Sequence, residues 1–209
     1  MILPAGEVSL EAVLWEPKGV PPNGAALLCH PHPLHGGTMN NRVIYRAAKG
    51  AVAAGLAALR FNFRGVGAST GSYAKGSGEL KDVAALLDWL AARYPALPLA
   101  LVGFSFGAWV GLQAACHDAR IHALVGLGVP LNTYDFDFLI DNTKPSRYII
   151  GSDDEFCARD KMEILARRLP PASEVIWVER ADHFFTRRID EVRRLVAEFL
   201  RAQFKRNPI

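Results

Sequence analysis

Residues 101–109 read Leu-Val-Gly-Phe-Ser-Phe-Gly-Ala-Trp and place Ser105 directly after an apolar run of strand length, 98–104. Gly103 and Gly107 flank the serine in the pattern G-x-S-x-G, and a segment of helical composition follows at once. A serine on such a sharp strand-to-helix turn is held in a strained backbone conformation, and only small residues beside it let the chain pass itself. Its hydroxyl then lies at the N-terminus of a helix, where partial positive charge favours a developing oxyanion. The stretch predicts a nucleophilic serine, although a serine that merely caps a helix gives the same pattern.

The rest of the chain alternates between two kinds of segment. Continuous apolar runs, which suit strands buried on both faces of a parallel sheet, occur at 24–30, 56–62, 98–104, 121–128, 146–151 and 174–179. Segments with helical spacing occur at 40–54, 79–93, 106–118, 159–169 and 186–205. Residues 7–16 alternate apolar and polar side chains, as a half-exposed edge strand would. This order predicts an α/β fold with an open, mostly parallel sheet covered by helices on both faces.

Length and composition fit one domain spanning residues 1–209. Half of the residues are hydrophobic and 22% are charged, which excludes a disordered or fibrous chain. The net charge of +3 is too small to indicate a nucleic-acid partner. Three cysteines without a C-x-x-C pair do not form a disulfide framework. No signal peptide and no apolar run of membrane-spanning length is evident, so we expect a cytoplasmic protein without a membrane partner.

A serine hydroxyl needs a base to remove its proton and an acid to orient that base. In an α/β fold with such a strand-to-helix turn, the expected order of these groups is serine, acid, histidine, each after a strand. Asp153 and Asp154 follow the apolar run at 146–151, and His183 follows the run at 174–179. Asp182 is adjacent to His183 and is expected to cap the turn that follows. The order and placement predict a Ser-His-Asp arrangement.

Taken together, these stretches resemble the small α/β-hydrolases, close to the cap-less dienelactone-hydrolase-like and carboxylesterase branch. The resemblance covers residues 5–205 and rests on the motifs at 103–107, 151–154, 181–185 and 61–69. The last of these is similar to the family's D-x-R-G-x-G-x-S turn, with Asn62 where aspartate is usual. The resemblance implies the triad Ser105, His183 and Asp154, because Asp154 matches the last position of G-x-x-D, while Asp153 stays an alternative. Dienelactone hydrolases use a cysteine nucleophile, so Ser105 favours ordinary esters as substrates.

In that family the oxyanion is held by the amide after the nucleophile, here Phe106, and by an amide of the loop after the strand at 24–30. Pro31 and Pro33 in that loop have no N–H group. Since His30-Pro31 stands in the place of the family's His-Gly pair, the resemblance implies the backbone amide of His32 as the second donor.

The same loop permits an alternative of another class. His30, His32 and His35 resemble the H-x-H-x-D-H signature of zinc hydrolases, but Leu34 stands where the aspartate belongs. The glycines at 65, 67 and 71 do not fit the G-x-G-x-x-G spacing of a dinucleotide site. We therefore expect neither a metal nor a cofactor.

The region in which many α/β-hydrolases insert a helical cap, 129–145, is long enough only for a loop and one helical turn. We expect an open, shallow site. Its walls are expected to come from large side chains near the catalytic strand ends, namely Leu34, Tyr134, Phe136, Phe156 and Phe184, together with Phe106 and Phe138.

The sequence thus predicts a serine esterase that cleaves short-chain carboxylic esters through an acyl-enzyme. The triad would equally serve a thioesterase, a lactonase or a peptidase, and a non-catalytic binding protein on the same fold is a further alternative. The expected partner is a small-molecule ester, with the protein a monomer or a homodimer.

Overall fold

The computed structural model describes residues 1–205; residues 206–209, which the predicted domain included, lie outside the described residues. One eight-stranded sheet has the spatial order β1-β2-β4-β3-β5-β6-β7-β8. Its strands are β1 (Ile2–Ala5), β2 (Val8–Trp15), β3 (Ala25–Cys29), β4 (Ala57–Phe61), β5 (Leu99–Phe104), β6 (Ile121–Leu127), β7 (Ser146–Gly151) and β8 (Ser173–Val178). The helices are α1 (Arg42–Ala53), α2 (Ser77–Arg93), α3 (Phe106–Ala115), α4 (Arg159–Ala166) and α5 (Ile189–Gln203).

In the spatial order of the sheet, all neighbouring strands from β4 to β8 pair in parallel. The pairs β1·β2 and β2·β4 are antiparallel. Every residue of β3, β4 and β5 is buried, because helices cover both faces of the sheet. Helices α1 and α5 pack together over one face, while α2, α3 and α4 contribute to the core on the other. The predicted α/β-hydrolase architecture is confirmed.

The half-exposed character of residues 7–16 is as predicted, but their position at the sheet edge is wrong. Strand β2 lies second, because the first five residues fold back through Gly6 and form β1 outside it. Glycine at position 6 adopts a φ of 65°, which suits the tight turn of this hairpin.

The turn after β4 is fixed by polar contacts of two side chains, Asn62 and Arg64. Asn62, where the resembling family carries aspartate, donates from Nδ2 to Oε2 of Glu11 at 2.7 Å. Its Oδ1 accepts from the Met39 amide at 2.8 Å. Arg64 pairs with the buried Asp82 at 2.7 Å and so ties the turn to α2. The turn therefore has a structural role, and its asparagine both donates to Glu11 and accepts from Met39, which an ionised aspartate cannot do.

Between β6 and β7 the chain forms a loop with a single short 3₁₀ helix, Asp137–Leu139, and no cap domain. Within residues 1–205, no helix combines the length and the apolar character that crossing a bilayer requires. The three cysteines are free and buried.

Candidate active site

Ser105 lies between β5 and α3 in a conformation that L-residues rarely adopt, with φ 56° and ψ −123°. Its amide donates to the Leu127 carbonyl at 3.0 Å, and its own carbonyl accepts from the first turn of α3. A Cβ on Gly103 would lie 2.4 Å from the Gly107 carbonyl oxygen, and one on Gly107 would lie 2.3 Å from the Cys29 carbonyl oxygen, so neither neighbour tolerates a side chain. The strained turn predicted from the pentapeptide is present, and it presents the serine hydroxyl above the strand ends.

The Ser105 hydroxyl is connected to a buried carboxylate through one imidazole. His183 Nε2 lies 2.9 Å from Ser105 Oγ, and His183 Nδ1 lies 2.9 Å from both carboxylate oxygens of Asp154. Because a carboxylate only accepts hydrogen bonds, Nδ1 carries the proton and Nε2 accepts from the serine hydroxyl. His183 and Asp154 are buried. The three side chains thus form the arrangement in which a serine can lose its proton to a neutral imidazole.

Of the competing acids, only Asp154 contacts His183. Asp153 is exposed and accepts from the Ser152 hydroxyl. Asp182 accepts from the amide and hydroxyl of Thr186, as expected for a residue that caps a turn, and these bonds hold its pKa below the usual range even though burial opposes them.

The acid turn and the histidine loop touch through their backbones. The Asp153 amide donates to the Ala181 carbonyl at 3.0 Å, and the Arg180 amide donates to Ser152 Oγ at 2.8 Å. A Cβ on Gly151 would lie 2.2 Å from that same carbonyl oxygen, so only glycine permits the approach. The separation of Asp154 and His183 is therefore set by the main chain.

Two backbone amides next to Ser105 have no acceptor. Within residues 1–205, neither the Phe106 N–H nor the His32 N–H donates a hydrogen bond to the protein. Both residues line the same cavity as Ser105. These are the two amides that the family resemblance implies for an oxyanion hole, and unpaired N–H groups at such a position are available to a developing oxyanion.

The loop that carries His32 is held by the preceding histidine. His30 is completely buried, and its Nε2 accepts from the Phe63 amide at 3.0 Å. Its Nδ1 consequently bears the proton and donates to the Pro31 carbonyl at 2.6 Å. Burial lowers the pKa of His30 to about 4, so the neutral ring that these two bonds require persists at neutral pH.

His32 and His35 stack with ring centroids 4.3 Å apart, and His32 Nε2 lies 3.2 Å from the Tyr73 hydroxyl. His32 Nδ1 accepts from the Leu34 amide. Burial, and then the neighbouring His35, lower the pKa of His32. Within the described residues, no group of three or more histidine, cysteine or acidic side chains is arranged to hold a metal ion.

A cavity of about 220 Å³ opens above Ser105. Its wall includes three of the predicted pocket residues, Tyr134, Phe156 and Phe184, as well as Phe106. Leu34 and Phe136 do not line it, and that prediction is corrected.

Both wrong predictions have a physical reason. Leu34 projects from the short 3₁₀ helix Pro33–His35 into solvent, with 67% of its surface exposed. Phe136 is buried in the core against Phe138, which likewise lies away from the cavity, because the loop between β6 and β7 turns inward there.

Several wall residues were not foreseen from the sequence. Asn41 caps α1 through Oδ1 and borders the cavity, and Pro130 and Thr133 reach it from the loop after β6. Gly128 lies close to the His183 ring, which an added Cβ would approach to 3.1 Å. A glycine directly after β6, the strand beside β5, was the signal that could have indicated this contact.

The cavity wall carries no aspartate, glutamate, lysine or arginine among residues 1–205. Its polar groups are the side chains of Ser105 and His183, the two free amides, further histidines and a few neutral donors. Such a wall suits an uncharged, largely apolar ligand.

Comparison with known proteins places this geometry in context. The model of the S15 family, described as X-Pro dipeptidyl-peptidase, matches residues 6–136. An uncharacterised protein of Rickettsia prowazekii (strain Madrid E) is 38% identical over 193 residues, covering 88% of this chain and 81% of its own.

Two solved structures show the same architecture. An α/β serine hydrolase homologue from Coxiella burnetii has 34% identity, 95% coverage of each chain and a TM-score of 0.89. A serine hydrolase from Xanthomonas campestris, described as lacking a lid, has 31% identity, covers 100% of this chain and 96% of its own, and gives a TM-score of 0.86.

Proposed function

Because this chain belongs to the S15 family of α/β serine hydrolases, we propose that it is a serine esterase acting on small, uncharged carboxylic esters. The observation that carries the proposal is the continuous hydrogen-bond chain from Ser105 through His183 to Asp154, which opens on a cavity with two free amides. A helix cap or a passive binding site requires neither the strained serine nor the buried carboxylate behind the imidazole.

In the first half of the reaction, Ser105 Oγ attacks the ester carbonyl carbon while His183 Nε2 takes the hydroxyl proton. The carbonyl oxygen gains the negative charge and accepts from the amides of Phe106 and His32. Collapse of this intermediate breaks the bond to the alcohol oxygen, which leaves with the proton from Nε2. The acyl group stays on Ser105 Oγ.

In the second half, a water molecule repeats the attack on the acyl-enzyme. His183 takes one proton from water and returns it to Ser105 Oγ as the carboxylic acid departs. Asp154 stabilises the imidazolium that forms in each half without being protonated itself.

The uncharged cavity wall favours the hydrolysis of esters over the release of dipeptides from a peptide. An enzyme that removes dipeptides from a free amino terminus must bind the substrate's ammonium group, which takes a carboxylate close to the scissile bond. Among residues 1–205, no aspartate or glutamate lines this cavity. Thioesters and lactones share the neutral reacting group with esters and remain a second class of substrate for the same site.

The test is turnover of p-nitrophenyl acetate by the wild-type protein and by Ser105→Ala, with covalent labelling by a fluorophosphonate as a parallel measurement. We expect the wild type to be labelled at Ser105 and the variant to lose turnover while keeping its circular dichroism and melting temperature. Full activity of a folded Ser105→Ala variant would falsify the proposal. A panel of esters, thioesters and lactones then ranks the substrate classes by kcat/KM.

A further inference from the structure

The direction of proton transfer determines where the two halves of an ester lie. The proton that His183 Nε2 takes from Ser105 must be delivered to the oxygen of the leaving alcohol, so that alcohol lies on the imidazole side of the cavity. The carbonyl oxygen faces the amides of Phe106 and His32. The side chains around His183 are therefore the ones that meet the leaving group.

Two aromatic rings occupy that side. The Phe156 ring centroid lies 4.6 Å from the His183 ring and is tilted by 54°, and the Phe184 ring lies 5.3 Å away at 85°. Both line the cavity that contains Ser105. A third ring, Phe104, is fully buried behind His183 and does not line the cavity.

Both rings belong to the loops that carry Asp154 and His183. The Phe156 amide donates to Asp154 Oδ1 at 2.8 Å, and its carbonyl accepts from the Asn132 amide at 3.0 Å. Phe184 follows His183 directly, and the next residue, Phe185, has a φ of 52° and is fully buried. The buried Phe185 anchors the loop while Phe184 stays at the surface.

Phe156 and Phe184 are 38% and 50% exposed, among the few large apolar side chains that the described residues leave open to solvent. Covering them with an apolar group removes that surface from water. An aromatic group binds more favourably still, because edge-to-face and offset ring pairs contribute binding free energy beyond that of the area they bury.

We infer that Phe156 and Phe184 bound a slot for the leaving alcohol, and that this slot selects esters of aromatic alcohols. The inference rests on the proposed function. It adds the chemical class of the departing group, which nothing in the triad or the oxyanion hole specifies.

The acyl group is left with the part of the wall next to the Phe106 ring. Tyr134 stacks on Trp109 with ring centroids 4.4 Å apart and lies 6.1 Å from the Phe106 ring. Tyr134 also lines the cavity, with Pro130 and Thr133 beside it. The Tyr134 side chain consequently provides a matched comparison, because its substitution changes the acyl subsite.

The experiment compares ethyl, hexyl and benzyl acetate, which all form the same acetyl-enzyme, so differences in kcat/KM report the leaving group alone. We expect benzyl acetate to exceed hexyl acetate by about two- to tenfold in the wild type. Phe156→Leu and Phe184→Leu keep an apolar side chain without a ring, and each should lower that ratio toward one. Tyr134→Leu should leave the ratio in place and change the preference between benzyl acetate and benzyl butyrate.

A wild-type ratio near one, or a ratio that neither leucine variant changes, overturns the inference. An equal loss on all three acetates in the leucine variants also overturns it, since the rings would then only hold His183. Hydrolysis of ethyl acetate with labelling of Ser105 keeps the proposed function in either case. Absence of turnover on every acetate, in a protein that fluorophosphonate does not label, overturns both.

Discussion

A Cβ atom on Gly128 would lie 3.1 Å from both Cε1 and Nδ1 of His183. Gly128 directly follows β6, which lies beside β5, and adopts a φ of 49°, and its amide donates to the Ile149 carbonyl. The missing side chain at position 128 therefore leaves room for the imidazole and for the Phe104 ring, which an added Cβ would approach to the same distance.

Gly128→Ala is expected to push the imidazole by a few tenths of an ångström and to lower kcat/KM about tenfold, because proton transfer is sensitive to small displacements. The alanine is also strained at positive φ, at a cost of about 1–2 kcal/mol in the free energy of unfolding. Ester turnover and urea unfolding measure the two effects.

Gly19→Ala is the matched control, since Gly19 has a φ of 75° and an added Cβ meets no atom within 4 Å. It should show a similar loss of stability with unchanged turnover. Equal turnover in both variants would contradict the role given to Gly128.

Asp154→Asn is expected to lower kcat by about 10²–10⁴-fold, because an amide can stabilise the wrong tautomer of His183 and cannot balance the imidazolium. Asp153→Asn, one residue away and exposed, should stay within twofold of the wild type. Steady-state turnover of p-nitrophenyl acetate measures both. A larger effect at position 153 than at 154 would exclude the observed carboxylate as the orienting acid.

Asn62→Asp is expected to destabilise the protein at neutral pH by about 2–3 kcal/mol, because a buried carboxylate would replace the group that donates to Glu11. The loss should shrink below about pH 5, where one of the two carboxyl groups takes up a proton. Urea unfolding at both pH values measures it.

Glu11→Gln added to Asn62→Asp supplies an amide that can donate to the new carboxylate. The double variant should therefore recover part of the lost stability at neutral pH. Additive losses from the two substitutions would show that the two side chains are not coupled.

Stability should fall as the pH drops from 6.5 toward 4, and His30 should account for about 3 kcal/mol of that fall. The folded pKa of His30 lies below its unfolded value, so its contribution is complete above pH 6.5 and is lost as protons bind preferentially to the unfolded chain. His30→Gln should be less stable than the wild type at pH 7 and less sensitive to acid over this window.

His117→Gln, at an exposed position, serves as the comparison and should follow the wild-type curve. Free energies of unfolding from urea titrations between pH 4 and pH 7 measure the slopes. Parallel curves for His30→Gln and the wild type would remove His30 as the source of the acid sensitivity.

The central strands and the Ser105 turn could be predicted from the sequence, because both depend on a local pattern of residues. Continuous apolar runs have no other place than a sheet covered on both faces, and G-x-S-x-G after such a run leaves few alternatives. Strand β1 was not predicted, because four residues next to a single glycine are too few to show an alternation of apolar and polar side chains.

The pocket was harder to foresee than the triad. Phe136 and Tyr134 are two residues apart in one loop, yet one enters the core and the other lines the cavity. In an irregular loop, no repeating geometry relates residue number to direction. Asn41 and Gly128 were hard to predict for a related reason, because each belongs to the site through contacts with residues distant in the chain.

The backbone contact between the acid turn and the histidine loop has a consequence for engineering. Since the carbonyl of Ala181 is packed against Gly151 and accepts from the Asp153 amide, the two loops behave as one insert carried by β7 and β8. Exchanging either loop with that of another protein would separate Asp154 from His183, whereas transplanting the pair keeps their spacing. Substitutions that leave this insert whole are the ones that preserve the hydrogen bonds between the two side chains.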